Sequence, residues 1–151
     1  MRNTDYTKMK SRLFILVAVV FAAFSLSSCQ STKWVPDFEL EIDYNTLALP
    51  ANIAADGGNY YTAYIPVWSI GSWAADLTIE GEAIWCGFEL EGGARPTGTH
   101  ATGQGSVEKY VNYLPLYFLV NGAQEPRFAQ IRFYRTDMDI ERVMKVQQNG
   151  R

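Results

Sequence analysis

Apolar and polar residues alternate with a period of two through most of this chain, in short runs separated by turn-forming residues. Phe38, Leu40, Ile42 and Tyr44 alternate with Glu39, Glu41 and Asp43, the pattern of a half-buried strand. A second short strand fits 47–49, before Pro50 stops it. Asp56-Gly57-Gly58-Asn59 is a turn signal, and the run after it, 60–68, is β-branched and aromatic. Tyr61, Ala63, Ile65 and Val67 share one face of that run; Tyr60, Thr62, Tyr64, Pro66 and Trp68 share the other. Pro66 cannot donate to a ladder, so this strand is expected at an edge or bulged. Further strands are expected over 73–80, 83–90, 110–120, 127–135 and 140–147. The link Asn121-Gly122-Ala123-Gln124-Glu125-Pro126 carries residues that reverse a chain, so the runs from 113 to 150 are expected as three consecutive antiparallel strands. Residues 91–106 lack any hydrophobic period and are expected to be a long loop. Seven or eight short strands, with no helix beyond residue 28, predict an all-β fold, an antiparallel β-sandwich.

The N-terminus departs from this pattern. Arg2, Lys8, Lys10 and Arg12 form a basic region, and residues 13–24 are uninterruptedly apolar, too short to span a bilayer that needs ~20 residues. Residues 1–28 are therefore expected to be an export signal. Leu26-Ser27-Ser28-Cys29 resembles the bacterial lipobox, which implies cleavage before Cys29, lipidation of Cys29 and attachment to a membrane. Residues 29–36 are then a tether, and 37–151 one β-domain.

Charge and chemistry narrow the function classes. Of 13 basic and 16 acidic residues, four and one precede Cys29, leaving nine against fifteen. That acidic balance argues against a nucleic-acid partner. With Cys29 lipidated, only Cys86 remains, expected as a small buried core residue. His100 is the single histidine, so neither a Ser-His-Asp arrangement nor a conventional zinc set is supported. The pairs Glu80 and Glu82, Glu89 and Glu91, and Asp137 and Asp139 are spaced for one side of a strand, where acid/base work or Ca2+ is conceivable, but they read as solvated faces. The expectation is no enzyme, no metal and no cofactor.

A set of motifs in fixed order then identifies a family resemblance. Gly57-Gly58, the segment Val67-Trp68-Ser69-Ile70-Gly71-Ser72-Trp73, Trp85, Asn121, Arg127-Phe128-Ala129-Gln130-Ile131 and Val146-Gln147-Gln148-Asn149-Gly150 together resemble the BACON domain over about 47–150. Ile70 stands where that family has asparagine, and the 91–113 region is longer than its norm. The resemblance implies an immunoglobulin-like β-sandwich of Bacteroidota, found often beside glycoside hydrolases. In it Trp73, Trp85, Asn121, Arg127 and Gln148 would specify the fold rather than a ligand.

Aromatic residues supply the candidate binding surface. Flat rings stack on the apolar faces of pyranoses, so an outward row of Tyr and Trp is the expected glycan platform. Tyr60, Tyr64 and Trp68 qualify if the Tyr61–Val67 side is the buried one, and Tyr113 and Tyr117 are a second candidate pair. Period-2 aromatics also make cross-strand pairs, so a structural or protein–protein interaction module of an envelope complex is the alternative. The expected location is the outer membrane, lipid-anchored, with the face undetermined. Possible partners are a polysaccharide or an envelope protein.

Overall fold

The computed structural model describes residues 39–51 and 60–151. The expected signal, Cys29, the tether and the Gly57-Gly58 turn lie outside the described residues. Eleven strands form among those described: β1 (Glu41–Ile42), β2 (Thr46–Leu49), β3 (Tyr60–Trp68), β4 (Ser72–Ile79), β5 (Cys86–Gly87), β6 (Glu89–Glu91), β7 (Arg95–Thr97), β8 (His100–Gln104), β9 (Val111–Leu119), β10 (Arg127–Arg135) and β11 (Glu141–Gln148). A four-stranded sheet runs β1-β3-β9-β5, a five-stranded sheet β2-β11-β10-β4-β8, and β6 pairs with β7. Pairing is antiparallel except between β2 and β11, which run parallel. The fold is all-β and sandwich-like, as the alternation requires.

Period 2 builds the core directly. Ile65, Val67, Leu114, Leu116 and Phe118 come from the four-stranded sheet, and Trp73, Ala75, Leu77, Ala129, Ile131, Phe133, Met144 and Val146 from the five-stranded one. Ile131 and Phe133 are fully buried, and truncating such side chains to Ala typically costs about 2–5 kcal/mol. Trp73 packs against Phe133 with ring centroids 6.4 Å apart.

Several expectations need correction. Residues 91–106 are not a loop, since they contain β7 and β8, and β8 pairs with β4 from Ser72↔Gln104 to Asp76↔His100. The runs 113–120 and 127–135 are not partners. β9 pairs with β3 and β5, whereas β10 pairs with β11 and β4, so the polar link carries the chain from one sheet to the other. The run 83–90 divides into β5 and β6, with Ile84 exposed, and among the described residues the first strand comprises only Glu41–Ile42, which pair with Trp68 and Val67, while Tyr44 is exposed. Each division raises the strand number above the expected seven or eight.

Candidate functional site

The ladder between β3 and β9 fixes the site. It runs unbroken from Tyr60↔Leu119 to Trp68↔Val111, and one residue further Ser69 donates its N–H to the Tyr110 carbonyl at 2.9 Å. Hydrogen-bonded and non-hydrogen-bonded pairs alternate in an antiparallel ladder. Counting back from Ser69, the pairs Tyr61↔Phe118, Ala63↔Leu116, Ile65↔Leu114 and Val67↔Asn112 are hydrogen-bonded. The pairs Tyr60↔Leu119, Thr62↔Tyr117, Tyr64↔Pro115, Pro66↔Tyr113 and Trp68↔Val111 are not. Leu119 accordingly turns its N–H away from β3, to the Trp85 carbonyl at 2.9 Å.

This parity explains why two prolines sit inside one ladder. Pro66 and Pro115 both occupy non-hydrogen-bonded pairs, where the missing N–H points away from the partner strand and leaves no rung empty. Pro66 faces the side where β1 pairs only with Val67 and Trp68, so the strand is an edge there and carries no bulge.

The same parity sets the outward face. Non-hydrogen-bonded neighbours bring side chains closest, and here they are Tyr60, Tyr64, Trp68, Tyr113 and Tyr117 with the two prolines among them. Ile65 and Val67 are fully buried on the opposite side, so the condition for an outward Tyr60–Trp68 row is met. All five candidate aromatic residues lie on one face of the four-stranded sheet. Tyr60 and Tyr117 meet edge to face at 5.8 Å, a cross-strand contact that props both rings. Tyr64 and Tyr113 are 64% exposed each, flanking the prolines as the most accessible rings of the strip.

The outer face of the five-stranded sheet is chemically different. Asp76 on β4 accepts from His100 Nδ1 at 2.7 Å and from Arg132 at 3.0 Å. The bonds from His100 and Arg132 hold the Asp76 carboxyl below its usual range. Arg132 also reaches Glu141 at 3.5 Å and lies 4.8 Å from the Tyr134 ring. A shallow depression of about 450 Å3 on this sheet is bordered by Thr46, Glu80, Phe128 and Lys145. One broad face is thus charged and the other aromatic.

Four of the residues singled out as fold-specifying converge at one end of the sandwich. Arg127 donates through Nε to Gln148 Oε1 at 2.8 Å and through Nη2 to the Leu119 carbonyl at 2.7 Å. Its guanidinium stacks 4.6 Å from the Trp85 ring, and burial pulls its pKa below the usual value. Gln148 Nε2 donates to the carbonyls of Pro50 and Leu119. Asn121, nearly fully buried, donates to the carbonyls of Glu125 and Asn149 and accepts from the Ala123 N–H. The link between sheets is thereby tied to the end of β11. The fifth, Trp73, sits in the core on β4. Cys86 is fully buried beside this end, and burial pushes its thiol pKa up to about 12.

The opposite end holds a group the sequence reading missed. Arg135 is 6% exposed; it donates to both Asp137 carboxylate oxygens and, through Nη1, to the Glu39 carbonyl at 2.7 Å. The pairing lowers the pKa of Asp137, so this carboxylate serves the arginine and not Asp139. Alternation through Ala129, Ile131 and Phe133 already aims position 135 inward, and an inward arginine demands a partner. That signal was readable. Gly71 closes over the guanidinium at φ +140, where a Cβ would stand 2.3 Å from Arg135 Nη2. Of the other acidic pairs, Glu80, Glu82, Glu89 and Glu91 are all exposed, and Glu91 lies 3.8 Å from Arg95. Among the described residues no three His, Cys, Asp or Glu side chains are grouped to hold a metal.

Comparison with known proteins adds little to this geometry. No family model and no curated protein matches the chain. Among solved structures that match is a Bacteroides ovatus GH5 xyloglucanase in complex with a XXXG heptasaccharide, at 16% identity and a TM-score of 0.48. The match covers 74% of this chain and 19% of the xyloglucanase chain. At that distance the likeness supports no statement about what this chain binds. The chain is all-β, built of mostly antiparallel sheets in a sandwich-like arrangement.

Proposed function

We propose that this chain is a non-catalytic, lipid-anchored envelope protein with a BACON-like, immunoglobulin-like domain that contacts glycans through the outer face of its four-stranded sheet. One observation carries the reading: Tyr60, Tyr64, Trp68, Tyr113 and Tyr117 share that face in adjacent non-hydrogen-bonded positions, with the Tyr64 and Tyr113 rings open. Soluble proteins seldom display contiguous apolar patches without a use for them. Tyrosine suits this one because its ring offers apolar area to sugar C–H groups while its hydroxyl stays hydrated. The converging polar cluster at Arg127 and Gln148 is consistent with the BACON-like scaffold, since its hydrogen bonds are spent on main-chain carbonyls and on each other.

The alternative is an interaction module with no carbohydrate ligand, favoured by the same aromatic exposure, which equally fits a protein surface. Affinity electrophoresis through gels containing β-glucan, xylan, mannan or arabinan separates the two. Retardation in at least one gel, reduced by Tyr64→Ala and Trp68→Ala, supports glycan contact. Unretarded migration in all of them, with a defined envelope protein held by the same face, supports the alternative.

A further inference from the structure

Where β9 runs past the end of β5, the edges of the two large sheets come together. β5 pairs only with Tyr117 and Phe118, so 111–115 of β9 has no strand on that side among the described residues. β8, the edge strand of the other sheet, lies next to it. Between them opens a groove of about 490 Å3, whose lining includes Trp73, Gly103, Lys109, Asn112, Tyr113 and Pro115, a size within the range of small-ligand pockets.

Two side-chain donors in this groove find no acceptor among the described residues: Trp73 Nε1 and Asn112 Nδ2. Trp73 is 2% exposed, and buried donors are nearly always bonded in folded proteins. The indole packs against Gly103, where a Cβ would overlap the ring and stand 2.7 Å from Nε1; only glycine lets β8 lie this close to Trp73. By the parity of the ladder, Val111 and Tyr113 also turn their backbone N–H and C=O groups away from β3, toward the groove side. The groove thus sets unpaired side-chain donors beside backbone donors and acceptors, a mixed set that suits hydroxyl groups.

We propose that the groove is a sugar subsite continuous with the aromatic face, taking a neutral pyranose whose hydroxyl and ring oxygens accept from Trp73 Nε1 and Asn112 Nδ2. This proposal rests on the glycan reading of that face. Tyr113 belongs to both surfaces, so a chain lying across Tyr64 and Tyr113 turns its next unit over the rim into the groove. The ring stacks on the first unit and the buried donors read the oxygens of the second. Nine basic against fifteen acidic residues beyond position 28 make a polyanionic saccharide a poor match.

The test is a 1H–15N titration of the purified chain with cellohexaose, xylohexaose and mannohexaose, with the Trp73 indole resonance assigned through Trp73→Phe. The expected result is that one hexasaccharide shifts the Trp73 indole N–H and the Tyr113 amide along a common saturation curve. Asn112→Leu should weaken that binding at least tenfold while the urea midpoint holds or rises, because an unpaired buried amide has been removed. If the Tyr113 amide shifts and Tyr64→Ala weakens binding, but the Trp73 indole is still and Asn112→Leu is neutral, the subsite is wrong and the aromatic face stands. If no resonance responds to any of the three sugars, both readings fall.

Discussion

Replacing Arg127 with methionine should be among the most damaging polar substitutions in this domain. The guanidinium makes two charge-assisted bonds, to Gln148 Oε1 at 2.8 Å and the Leu119 carbonyl at 2.7 Å, and covers the Trp85 ring at 4.6 Å. In Arg127→Met, Leu119 keeps a donor because Gln148 Nε2 lies 2.9 Å away, whereas Gln148 Oε1 loses its donor while remaining fully buried. An orphaned acceptor costs about 1–3 kcal/mol and the lost cation–π contact about 0.5–2 kcal/mol. Methionine recovers part of the packing against Trp85. The net is a loss of about 3 kcal/mol, a fall in Tm of roughly 10 °C for a domain of this size. Urea unfolding followed by tryptophan fluorescence measures it. Adding Gln148→Leu removes the orphaned Oε1 but takes the second donor from the Leu119 carbonyl as well, so the two effects oppose and the single variant is the decisive one. A single-variant cost below about 1 kcal/mol refutes the claim that Arg127 belongs to a buried polar unit.

Other consequences are as concrete. His100 and Arg132 bond the Asp76 carboxylate and hold its folded-state pKa below the usual carboxylate range; such a group contributes stability above its unfolded pKa and loses it as pH falls through the folded value. Asp76→Asn should therefore flatten the loss of urea midpoint below about pH 4, and an unchanged acid limb contradicts that role. Cys86, buried with its pKa pushed up to about 12, should resist iodoacetamide at neutral pH until the domain unfolds; rapid native alkylation of the Cys86 peptide contradicts the core placement. Gly71→Ala forces a Cβ onto the Arg135 guanidinium at a φ of +140 and should destabilise by more than about 1 kcal/mol, read from the same unfolding curves. Cys29→Ser should move the protein from the membrane to the soluble fraction, and unchanged fractionation removes the lipid anchor from the account.

Much of the sandwich was legible because its long strands obey strict alternation. β3, β4, β9, β10 and β11 bury the residues that period 2 assigns inward, and the outward aromatic row follows from the same parity. Strand partnership was not legible at the link 121–126, because Asn, Gly and Pro announce a reversal without saying whether the chain stays in its sheet. The strand pairing shows that the link crosses over, and Asn121, buried and tied to the Glu125 and Asn149 carbonyls, anchors it. β7 and β8 escaped notice for a different reason. Arg95-Pro96-Thr97 and His100–Gln104 carry few large apolar groups, and an edge strand such as β8 is held by its backbone rungs and by Asp76 bonding His100, neither of which leaves a hydrophobic period. The groove beside Trp73 was likewise invisible, since it depends on β5 ending early and on Gly103 facing an indole from a different strand.

The measurement closest to the central claim compares polysaccharide binding by the wild-type chain, Tyr64→Ala combined with Tyr113→Ala, and Gln130→Ala on the opposite sheet. Burying roughly 50 Å2 of each exposed ring against a sugar face contributes about 1.3 kcal/mol at ~25 cal/mol/Å2, so losing both rings should weaken binding by roughly fiftyfold or more. Gln130→Ala should leave it intact. Equal binding by all three chains, or binding that fails only in the Gln130 variant, would contradict the assignment of the aromatic face as the glycan-contacting surface.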